Sequence, residues 1–401
     1  MIRHTPFHAR TAELNRSGLW THWAGYLVAQ KYQLSEKFEY FAFRNAAGLF
    51  DTSPLYKYRI TGQDAEPYLA GVLTRDPRTC AVGQAQYTVW CDDKGFVIED
   101  GVLLRTGQSE YLLTAAERNL AYLQSLTDGY VLDIEDVSPE IAAVALQGPN
   151  SRKVLAEVVP EAADLGYFRL MEAKIDDTVV TISRTGFTGD LGYEVWVDAA
   201  EALQVWDAFM EAGSPYGLIP VGLQALKMAR IEAGLLLLDT DFGSSRFAFN
   251  DAHRSTPGEL GLGWMVRKLA DDERRFVGRN AIEAELANGT SRWAMVGLVV
   301  DWADFDGRYE PAGLVPPKDH TPVTVESMVY DGTGNGVGYT TSSMYSPMLQ
   351  RHIAIARVRP DLAAQGTAVF LEYTIDHVYE KIMAHVTRLP FFNPPRKTAS
   401  A

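Results

Sequence analysis

The chain changes its secondary-structure pattern near residue 286, and this change divides it into two regions of different fold class. After that point helical periodicity is scarce, and short runs of alternating apolar and polar residues, which are typical of half-buried strands, follow one another. These runs predict strands at residues 295–300, 324–330, 336–341, 352–358, 368–373 and 381–386. We therefore expect a β-rich C-terminal domain over residues 286–390, followed by a loose tail over residues 391–401.

Before residue 286, strand and helix patterns alternate. The first series includes a helix predicted over residues 64–72 and a hairpin whose strands are predicted at residues 87–91 and 97–105. A second series of the same kind begins near Ile141, although we find no clear sequence repeat. Hairpins combined with crossover helices favour an α+β fold with antiparallel or mixed sheets over a doubly wound parallel sheet. Residues 1–285 are thus predicted to form two related α+β subdomains.

The charge balance restricts the partners that the protein can bind. Its 37 Lys and Arg residues against 51 Asp and Glu residues give a net charge of -14, which argues against nonspecific nucleic-acid binding because that needs a basic face. The two cysteines are too few for a disulfide framework. We find no secretory signal and no apolar run long enough to span a bilayer. We therefore expect a cytoplasmic enzyme or small-molecule binder with no nucleic-acid or membrane partner.

The most informative stretch is RTGFTGDLGYEV, residues 184–195, which places three glycines between two predicted strands. One interpretation is a hairpin whose glycines adopt positive φ. This does not account for Glu194, because a carboxylate among large apolar neighbours needs hydrogen-bond donors. A carboxylate accepts a planar pair of N–H groups in a bidentate manner, and the aminopyrimidinone edge of a pterin offers such a pair.

Two further groups of residues are candidates for chemistry. Asp100 stands at the head of an apolar strand and Tyr87 lies on the partner strand, so the predicted hairpin could bring them together. The alternative is that Asp100 simply faces solvent. Arg230 and Glu232 lie near the end of a predicted helix that Gly234 caps. A position on the protein surface is equally compatible with their spacing.

Other motifs lack the context that their chemistry requires. The glycine-rich run at residues 332–338 resembles a nucleotide-binding loop, but a strand pattern follows it instead of the helix whose N-terminus would bind a phosphate. His4 and His8 have the spacing of a metal-binding pair but no third ligand. GxSxG, Walker A and HExxH motifs do not occur in the sequence. We predict no metal site.

Six motifs, taken together, resemble those of the aminomethyltransferase family, whose best-known member is the T-protein of the glycine cleavage system. The RTGYTGEDGFE signature of the family appears as residues 184–194. Its segment with the pattern G-L-x-A-x-x-x-x-R-x-E-A-G appears as residues 222–234. The other motifs of the family correspond to residues 50–53, 261–264, 276–279 and 338–347. The similarity extends in order from about residue 18 to about residue 390.

The resemblance implies a three-lobed fold, with two α+β units and a C-terminal β-barrel around a central hole that binds tetrahydrofolate. It implies that Glu194 binds the pterin edge, which agrees with the bidentate argument. It further implies that Asp100 is the catalytic carboxylate, that Tyr87 lines the same pocket, and that Arg230 lies near the folate or orients a carboxylate. The anionic glutamate tail of folate also needs a basic rim on this acidic protein. The candidates for that rim are Arg246, Arg254, Arg267 and Lys268.

The sequence also departs from the T-protein pattern. The aspartate pair of the T-protein becomes Glu99 and Asp100, and residues 100–104 are closer to the tetrahydrofolate-dependent demethylases of the family. We therefore expect a demethylase that moves a methyl group from a small S-, N- or O-methyl donor to N5 of tetrahydrofolate. Two alternatives remain. One is an aminomethyltransferase of the glycine cleavage system, which would need a lipoyl carrier protein as its partner. The other is a folate-binding protein without catalytic activity.

Two tryptophans near the candidate residues could contribute to donor binding. Trp90 lies in the first strand of the predicted hairpin, and Trp196 follows Glu194 by two residues. An indole face binds a cationic or aromatic group well, so both are candidates to pack against the methyl donor. The alternative for each is a place in the hydrophobic core.

Overall fold

Strands and short helices alternate along most of the chain in the computed structural model, which describes residues 2–267 and 269–400. In chain order the strands are β1 (Arg3–His4), β2 (Trp20–Trp23), β3 (Tyr26–Ala29), β4 (Ala47–Asp51), β5 (Tyr56–Thr61), β6 (Gln84–Cys91), β7 (Val97–Gly107), β8 (Glu110–Ala115), β9 (Asp133–Asp136), β10 (Ile141–Gln147), β11 (Leu170–Ile175), β12 (Thr178–Ser183), β13 (Gly192–Asp198), β14 (Leu218–Pro220), β15 (Ala294–Val300), β16 (Met328–Tyr330), β17 (Gly336–Ser346), β18 (Arg351–Val358), β19 (Ala368–Ile375) and β20 (Val378–Thr387). The α-helices are α1 (His8–Leu14), α2 (Glu36–Asn45), α3 (Ala65–Val72), α4 (Leu120–Gln124), α5 (Ser151–Val158), α6 (Ala202–Gly213), α7 (Leu223–Glu232), α8 (Arg279–Asn288) and α9 (Trp302–Tyr309).

Two of the sheets share the order of their first four strands and differ by the extra strand β4 in the second sheet, which confirms the prediction of two related α+β units. The first sheet has the order β6-β7-β8-β5-β9, and the second has the order β11-β12-β13-β10-β4-β14. In each unit a strand (β5 or β10) and a helix lead to a three-stranded meander whose last strand pairs with that first strand. A second helix then leads to the final strand, β9 or β14. The repeat is therefore one of topology, which explains why no sequence repeat accompanies it.

The two sheets pack face to face, and this packing creates the space in which the candidate residues lie. Ala85 and Leu104 from the first sheet meet Ala143 and Trp196 from the second in one buried cluster. Both faces of the first sheet are therefore covered, since a second cluster of this sheet, which includes Tyr58, packs against its own helices. The β-strand alternation places every second side chain of β7 and β13 in the space between the sheets.

The C-terminal strands close into a barrel of the order β15-β18-β17-β16-β19-β20. This confirms the β-rich prediction, and closure leaves none of the six strands with an unpaired edge. The aspartate-rich segment after residue 300 contains the helix α9, which was not predicted. The predicted boundary after residue 285 falls within α8, which ends at Asn288. We propose that the division between the two regions lies after α8, before β15 begins.

The tail does not behave as the sequence suggested, because it is bound to the end of α7 and to the segment between β12 and β13. Phe392 N donates to Glu232 O at 2.8 Å, and Arg396 Nε pairs with Asp190 Oδ1 at 2.6 Å. Arg184 Nη2 donates to the carbonyl oxygen of Ala399 at 2.7 Å. The expectation of a loose tail is therefore wrong, since proline-rich composition gives no information about ion pairs with distant residues.

No helix in the described ranges combines the length and the apolar character that crossing a membrane requires.

Candidate active site

Strands β6 and β7 bring Tyr87 and Asp100 together on one face of the first sheet. Val89 pairs directly with Asp100, and Tyr87 pairs with Val102, so these four side chains share a face. Tyr87 Oη donates to Asp100 Oδ2 at 2.8 Å. The hairpin thus forms the contact that the sequence predicted, and Asp100 faces the space between the two sheets, where Val102 packs against the buried cluster.

Gly101 explains how β7 and β8 hold Asp100 in this position. A Cβ atom at residue 101 would lie 1.9 Å from the carbonyl oxygen of Thr114 on β8. No side chain can occupy that space, so any other residue would force the two strands apart. The sequence Asp-Gly at residues 100–101 therefore allows the close strand contact that fixes the carboxylate beside Tyr87.

Burial controls the charge of Asp100. It raises the pKa of the Asp100 carboxyl to about 6, and the negative charge of Asp241 acts in the same direction, while the hydrogen bond from Tyr87 lowers it. On the opposite face, Glu99 Oε1 accepts a hydrogen bond from Asp100 N at 3.2 Å. Burial and the neighbouring charge of Asp100 raise the pKa of Glu99 well above its usual value. Burial thus brings the pKa of Asp100 to about 6, which suits a group that takes up or holds a proton.

The Tyr87 hydrogen bond gives the first prediction. In Tyr87→Phe the ionised form of Asp100 loses a donor, so its pKa should rise above about 6. Infrared difference titration of the carboxyl band, with Asp100→Asn as the subtracted reference, measures this shift. Tyr111→Phe is the matched control, because Tyr111 Oη contacts Glu66 elsewhere on the same sheet. An unchanged titration in Tyr87→Phe would show that the hydrogen bond does not tune Asp100.

Strand β13 positions Glu194 on the facing sheet. Glu194 pairs with Ala145 and Ser183 on its two neighbouring strands. Thr185 Oγ1 donates to Glu194 Oε2, and burial raises the pKa of the Glu194 carboxyl. Within residues 2–267 and 269–400, no group donates a hydrogen bond to the other carboxylate oxygen, Oε1. Glu194 is thus a buried acid with one oxygen available for a ligand.

The glycines of the 184–195 stretch act mainly by being small. Gly186 and Gly192 lie against the side chain of Gln147, where added Cβ atoms would come within 2.1 Å and 2.3 Å of its atoms. Gln147 Nε2 donates to Thr185 O at 3.1 Å and so fixes the loop beside Glu194. Positive φ, the role that the hairpin interpretation gave to all three glycines, is found only at Gly189, with φ of 73°.

Asp100 and Glu194 border the same space between the sheets. Asp100 shares its face of β7 with Val102, and Glu194 shares its face of β13 with Trp196; Val102 and Trp196 meet in one cluster. Farther along, Ala145, the strand partner of Glu194, belongs to the central cluster against which Tyr87 and Phe187 pack. The Tyr87–Asp100 pair and Glu194 thus project from the facing sides of the two sheets, and Phe187 packs against the same central cluster as Tyr87.

Arg230 is linked to Asp100 indirectly, through Asp241, an acid that the sequence analysis did not select. Its side chain is fully buried, so the alternative of a surface position is wrong. Arg230 Nη1 pairs with Asp241 Oδ2 at 2.5 Å, and Nη2 donates to Ser342 Oγ on β17 at 2.7 Å. Asp241 in turn acts electrostatically on Asp100. Two acids, Asp239 and Asp241, follow the apolar run at residues 235–238, and this was the sequence signal that could have identified it.

The two tryptophans lie in different environments. Trp90 pairs with Glu99 on the face opposite Asp100, is fully buried among residues of the first unit, and donates through Nε1 to Asn119 Oδ1 at 3.4 Å. The structure does not bring Trp90 to the site. Trp196 is packed between the sheets, where its Nε1 donates to Ser183 Oγ at 3.3 Å, and it borders a cleft of about 200 Å³.

The residues considered for a basic rim differ in how far other groups of the protein already bind their side chains. Arg246 Nη1 donates to Asn119 Oδ1 at 3.4 Å. Arg254 pairs with Asp251 and donates through Nε to Ser245 O at 3.2 Å. Arg267 is exposed. Lys268 lies outside the described residues.

The spacing of His4 and His8 is the one expected of a pair of metal ligands, so the geometry of this pair matters for the prediction that no metal is bound. The rings of His4 and His8 stack with their centroids 3.7 Å apart, which is a packing contact and not a convergent ligand arrangement. In the part of the chain that the structure describes, no three His, Cys, Asp or Glu residues cluster in a way that could hold a metal ion.

Comparison with known proteins identifies the family. The model of the GCVT N-terminal domain matches residues 4–269, and that of the glycine cleavage T-protein C-terminal barrel domain matches residues 311–393. The chain belongs to the glycine cleavage T-protein family. This confirms the resemblance seen in the sequence motifs and makes the protein an enzyme of the one-carbon group transferase type.

Two curated relatives illustrate the range of names within the family. One is the heme-dependent oxidative N-demethylase gamma subunit of Ectopseudomonas mendocina, which is 33% identical over 94% of this chain and 93% of that protein. Another is the aminomethyltransferase of Halothermothrix orenii, which is 32% identical over 88% of this chain and 90% of that protein. Among solved structures, aminomethyltransferase T of the glycine cleavage system from Bartonella henselae superposes with a TM-score of 0.82, covering 98% of this chain and 99% of that one at 24% identity. The last comparison confirms the three-lobed fold.

Proposed function

We propose that the protein is a tetrahydrofolate-dependent demethylase, which transfers a methyl group from a small S-, N- or O-methyl donor to N5 of tetrahydrofolate. The observation that carries this proposal is the pair of buried carboxylates on facing sheets. Glu194 keeps one oxygen free for a ligand, and Asp100 is held by Tyr87 across the same space. The relative named as an N-demethylase subunit supports demethylation, and its name also supports association with partner subunits. The scarcity of cysteine supports a cytoplasmic location.

The residues present fit a pterin. A bidentate contact with the aminopyrimidinone edge needs a carboxylate with accessible lone pairs, and Glu194 Oε1 has no other donor in the described ranges. The loop that holds Glu194 also presents Phe187, a partly buried aromatic ring against which a planar heterocycle can stack. We propose that Glu194 binds the pterin edge and that Tyr87 lines the same pocket.

The chemistry that we propose is a direct transfer. When bound, tetrahydrofolate supplies the nucleophilic N5 that accepts the methyl group. The carboxylate of Asp100 stabilises the positive charge of an onium donor and takes up the proton that N5 loses. With a neutral O-methyl donor, Asp100 passes that proton on to the departing oxygen, and both roles suit its pKa of about 6. The bond between the methyl carbon and the donor heteroatom breaks, and its electron pair stays with that heteroatom. Holding the two reactants in contact between the sheets accounts for much of the rate enhancement.

Analysis of the folate product by anaerobic mass spectrometry tests the proposal. The protein is incubated with tetrahydrofolate and a panel of sulfonium, betaine, methylamine and methoxyaryl donors. We expect 5-methyltetrahydrofolate from one small donor. Glu194→Gln should lose this product because an amide presents N–H groups to the N–H edge of the pterin, whereas Glu172→Gln, an exposed position on β11, should retain it. Absence of 5-methyltetrahydrofolate with every donor would contradict the demethylase proposal.

The second candidate is an aminomethyltransferase, which the name of the Halothermothrix orenii relative supports. A separate reaction with aminomethylated lipoyl carrier protein tests it. Formation of 5,10-methylenetetrahydrofolate and ammonia only in that reaction would identify a T-protein. Binding of tetrahydrofolate without turnover in either reaction would favour a folate-binding protein without catalytic activity.

A further inference from the structure

The C-terminal tail holds both ends of the loop that joins β12 to β13. At the start of this loop, Arg184 Nη2 donates to the carbonyl oxygen of Ala399 at 2.7 Å. At its end, Arg396 Nε and Nη2 donate to the two carboxylate oxygens of Asp190 at 2.6 Å and 2.8 Å, which is the bidentate geometry of a strong ion pair. Residues 184–191 form neither helix nor strand, so the position of the loop depends on contacts from other parts of the chain.

The same loop supports Glu194. Thr185, the second residue of the loop, donates through Oγ1 to Glu194 Oε2. Gln147 connects the two halves of the loop, because its Nε2 donates to Thr185 O at 3.1 Å and its Oε1 accepts from Thr188 Oγ1 at 2.8 Å. A displacement of either end of the loop would therefore reach the hydrogen bond that orients the Glu194 carboxylate.

The tail also supplies a charge that this region needs. The side chains of Asp190, Glu232 and Arg44 are fully buried, and Arg44 lies 2.8 Å from Glu232 and 3.7 Å from Asp190. Two buried carboxylates thus face one buried guanidinium, and Arg396 provides a second positive charge. The ring of Phe392, also in the tail, lies against the guanidinium of Arg44 at 4.3 Å. Because a buried carboxylate without a counter-ion is costly, the burial of Asp190 depends on the binding of the tail.

We propose that the tail holds the loop at residues 184–191 in the position in which Glu194 can accept a ligand, and that Arg396 is a positioning residue that acts through Asp190. This inference rests on the proposed function and extends it by assigning a role in ligand binding to a residue 206 positions beyond Asp190 in sequence. The competing explanation is a direct contact between Arg396 and the glutamate of folate. The two explanations differ in how a ligand without the glutamate should respond.

Two measurements on Arg396→Met test the inference. The side chain of Arg396 is 40% exposed, so its replacement leaves no cavity in the core and the variant should fold. Hydrogen exchange followed by mass spectrometry should show faster exchange of the backbone amides of residues 184–191 than in the wild type. Calorimetric titration should show an affinity that is lower by about tenfold or more, both for tetrahydrofolate and for tetrahydropteroate, which lacks the glutamate. A residue that contributed only to global stability would leave the affinity of the folded protein unchanged.

Control variants separate this role from a general effect of losing an ion pair. Arg359→Met removes an exposed pair with Asp361, at 2.8 Å, directly after β18 of the barrel, and it should change neither measurement. Arg396→Lys should recover part of the affinity because it keeps the charge. Asp190→Asn combined with Arg396→Met should bind no more weakly than Arg396→Met alone, because the two residues act as one pair. If Arg396→Met failed to fold, Arg396→Gln, which can still donate a hydrogen bond to Asp190, would replace it in both measurements.

Three outcomes would contradict the inference. Unchanged exchange of the loop, or normal affinity for both ligands, would overturn it while leaving the proposed function intact. A loss of affinity confined to tetrahydrofolate would show that Arg396 contacts the glutamate and would overturn the positioning role. Failure of the wild type to bind either ligand would overturn the proposed function, and this inference with it.

Discussion

Asp100→Asn should lower kcat by about 10²- to 10⁴-fold while leaving the affinity for tetrahydrofolate nearly unchanged. The asparagine keeps the size of the side chain and can still accept the hydrogen bond from Tyr87. It has no negative charge to stabilise a cationic donor, and it cannot take up a proton near pH 6. Single-turnover kinetics with the identified donor measure the first effect, and calorimetric titration with tetrahydrofolate measures the second.

The stability of the same variant separates a catalytic role from a structural one. The pKa of Asp100 is raised by burial from 3.8 to about 6, so its ionisation opposes folding. This group contributes most to stability below pH 4 and loses that contribution as the pH rises through 6. Asp100→Asn removes the charge and should therefore match or exceed the wild-type melting temperature at pH 8, with a smaller difference at pH 4.5.

A matched control and a contrary outcome complete this prediction. Asp133→Asn changes an exposed carboxylate on β9 of the same sheet and should leave turnover unchanged. If Asp100→Asn turned over at the wild-type rate and bound folate normally, Asp100 would not be the catalytic group and the proposed chemistry would be wrong.

The contact between Tyr87 and Asp100 shows what the sequence can predict. The strand patterns at residues 87–91 and 97–105 defined the hairpin, and the register of a hairpin determines which side chains share a face. Glu194 was identified by a similar argument, because a carboxylate in an apolar strand needs a partner. In both cases the information lay within about fifteen residues of the chain.

Trp90 and Asp241 show where such reasoning ends. Both faces of the first sheet are buried, so an apolar strand pattern cannot tell which face of β6 meets the site and which packs on α3. Trp90 lies on the helix-covered face. Asp241 acts through pairing with Arg230 and with Ser342 on β17, about one hundred residues away in sequence. Contacts between such distant segments depend on how the lobes pack, and no local pattern contains that information.

The ion pair between Arg230 and Asp241 gives the second large prediction. Both side chains are buried, and Arg230→Met would leave the Asp241 carboxylate without its counter-ion. Removing one partner of a buried pair costs about 3–5 kcal/mol, so the free energy of unfolding should fall by an amount of that order. Urea denaturation of the whole chain, followed by tryptophan fluorescence, measures it. Ser342→Ala keeps the ion pair but removes the hydrogen bonds that Ser342 Oγ makes with Arg230 and Asp241, and should cost about 1–3 kcal/mol.

A double variant distinguishes a positioning role for Arg230 from direct folate binding. If Arg230 acts through Asp241, Asp241→Asn in the Arg230→Met background should recover part of the lost stability, because the unpaired charge is removed. The pKa of Asp100 should also fall in that variant, since the negative charge that raises it is gone. A loss of tetrahydrofolate affinity in Arg230→Met without any loss of stability would instead show that Arg230 contacts the folate. Arg230 would then be the binding residue that the family resemblance implied.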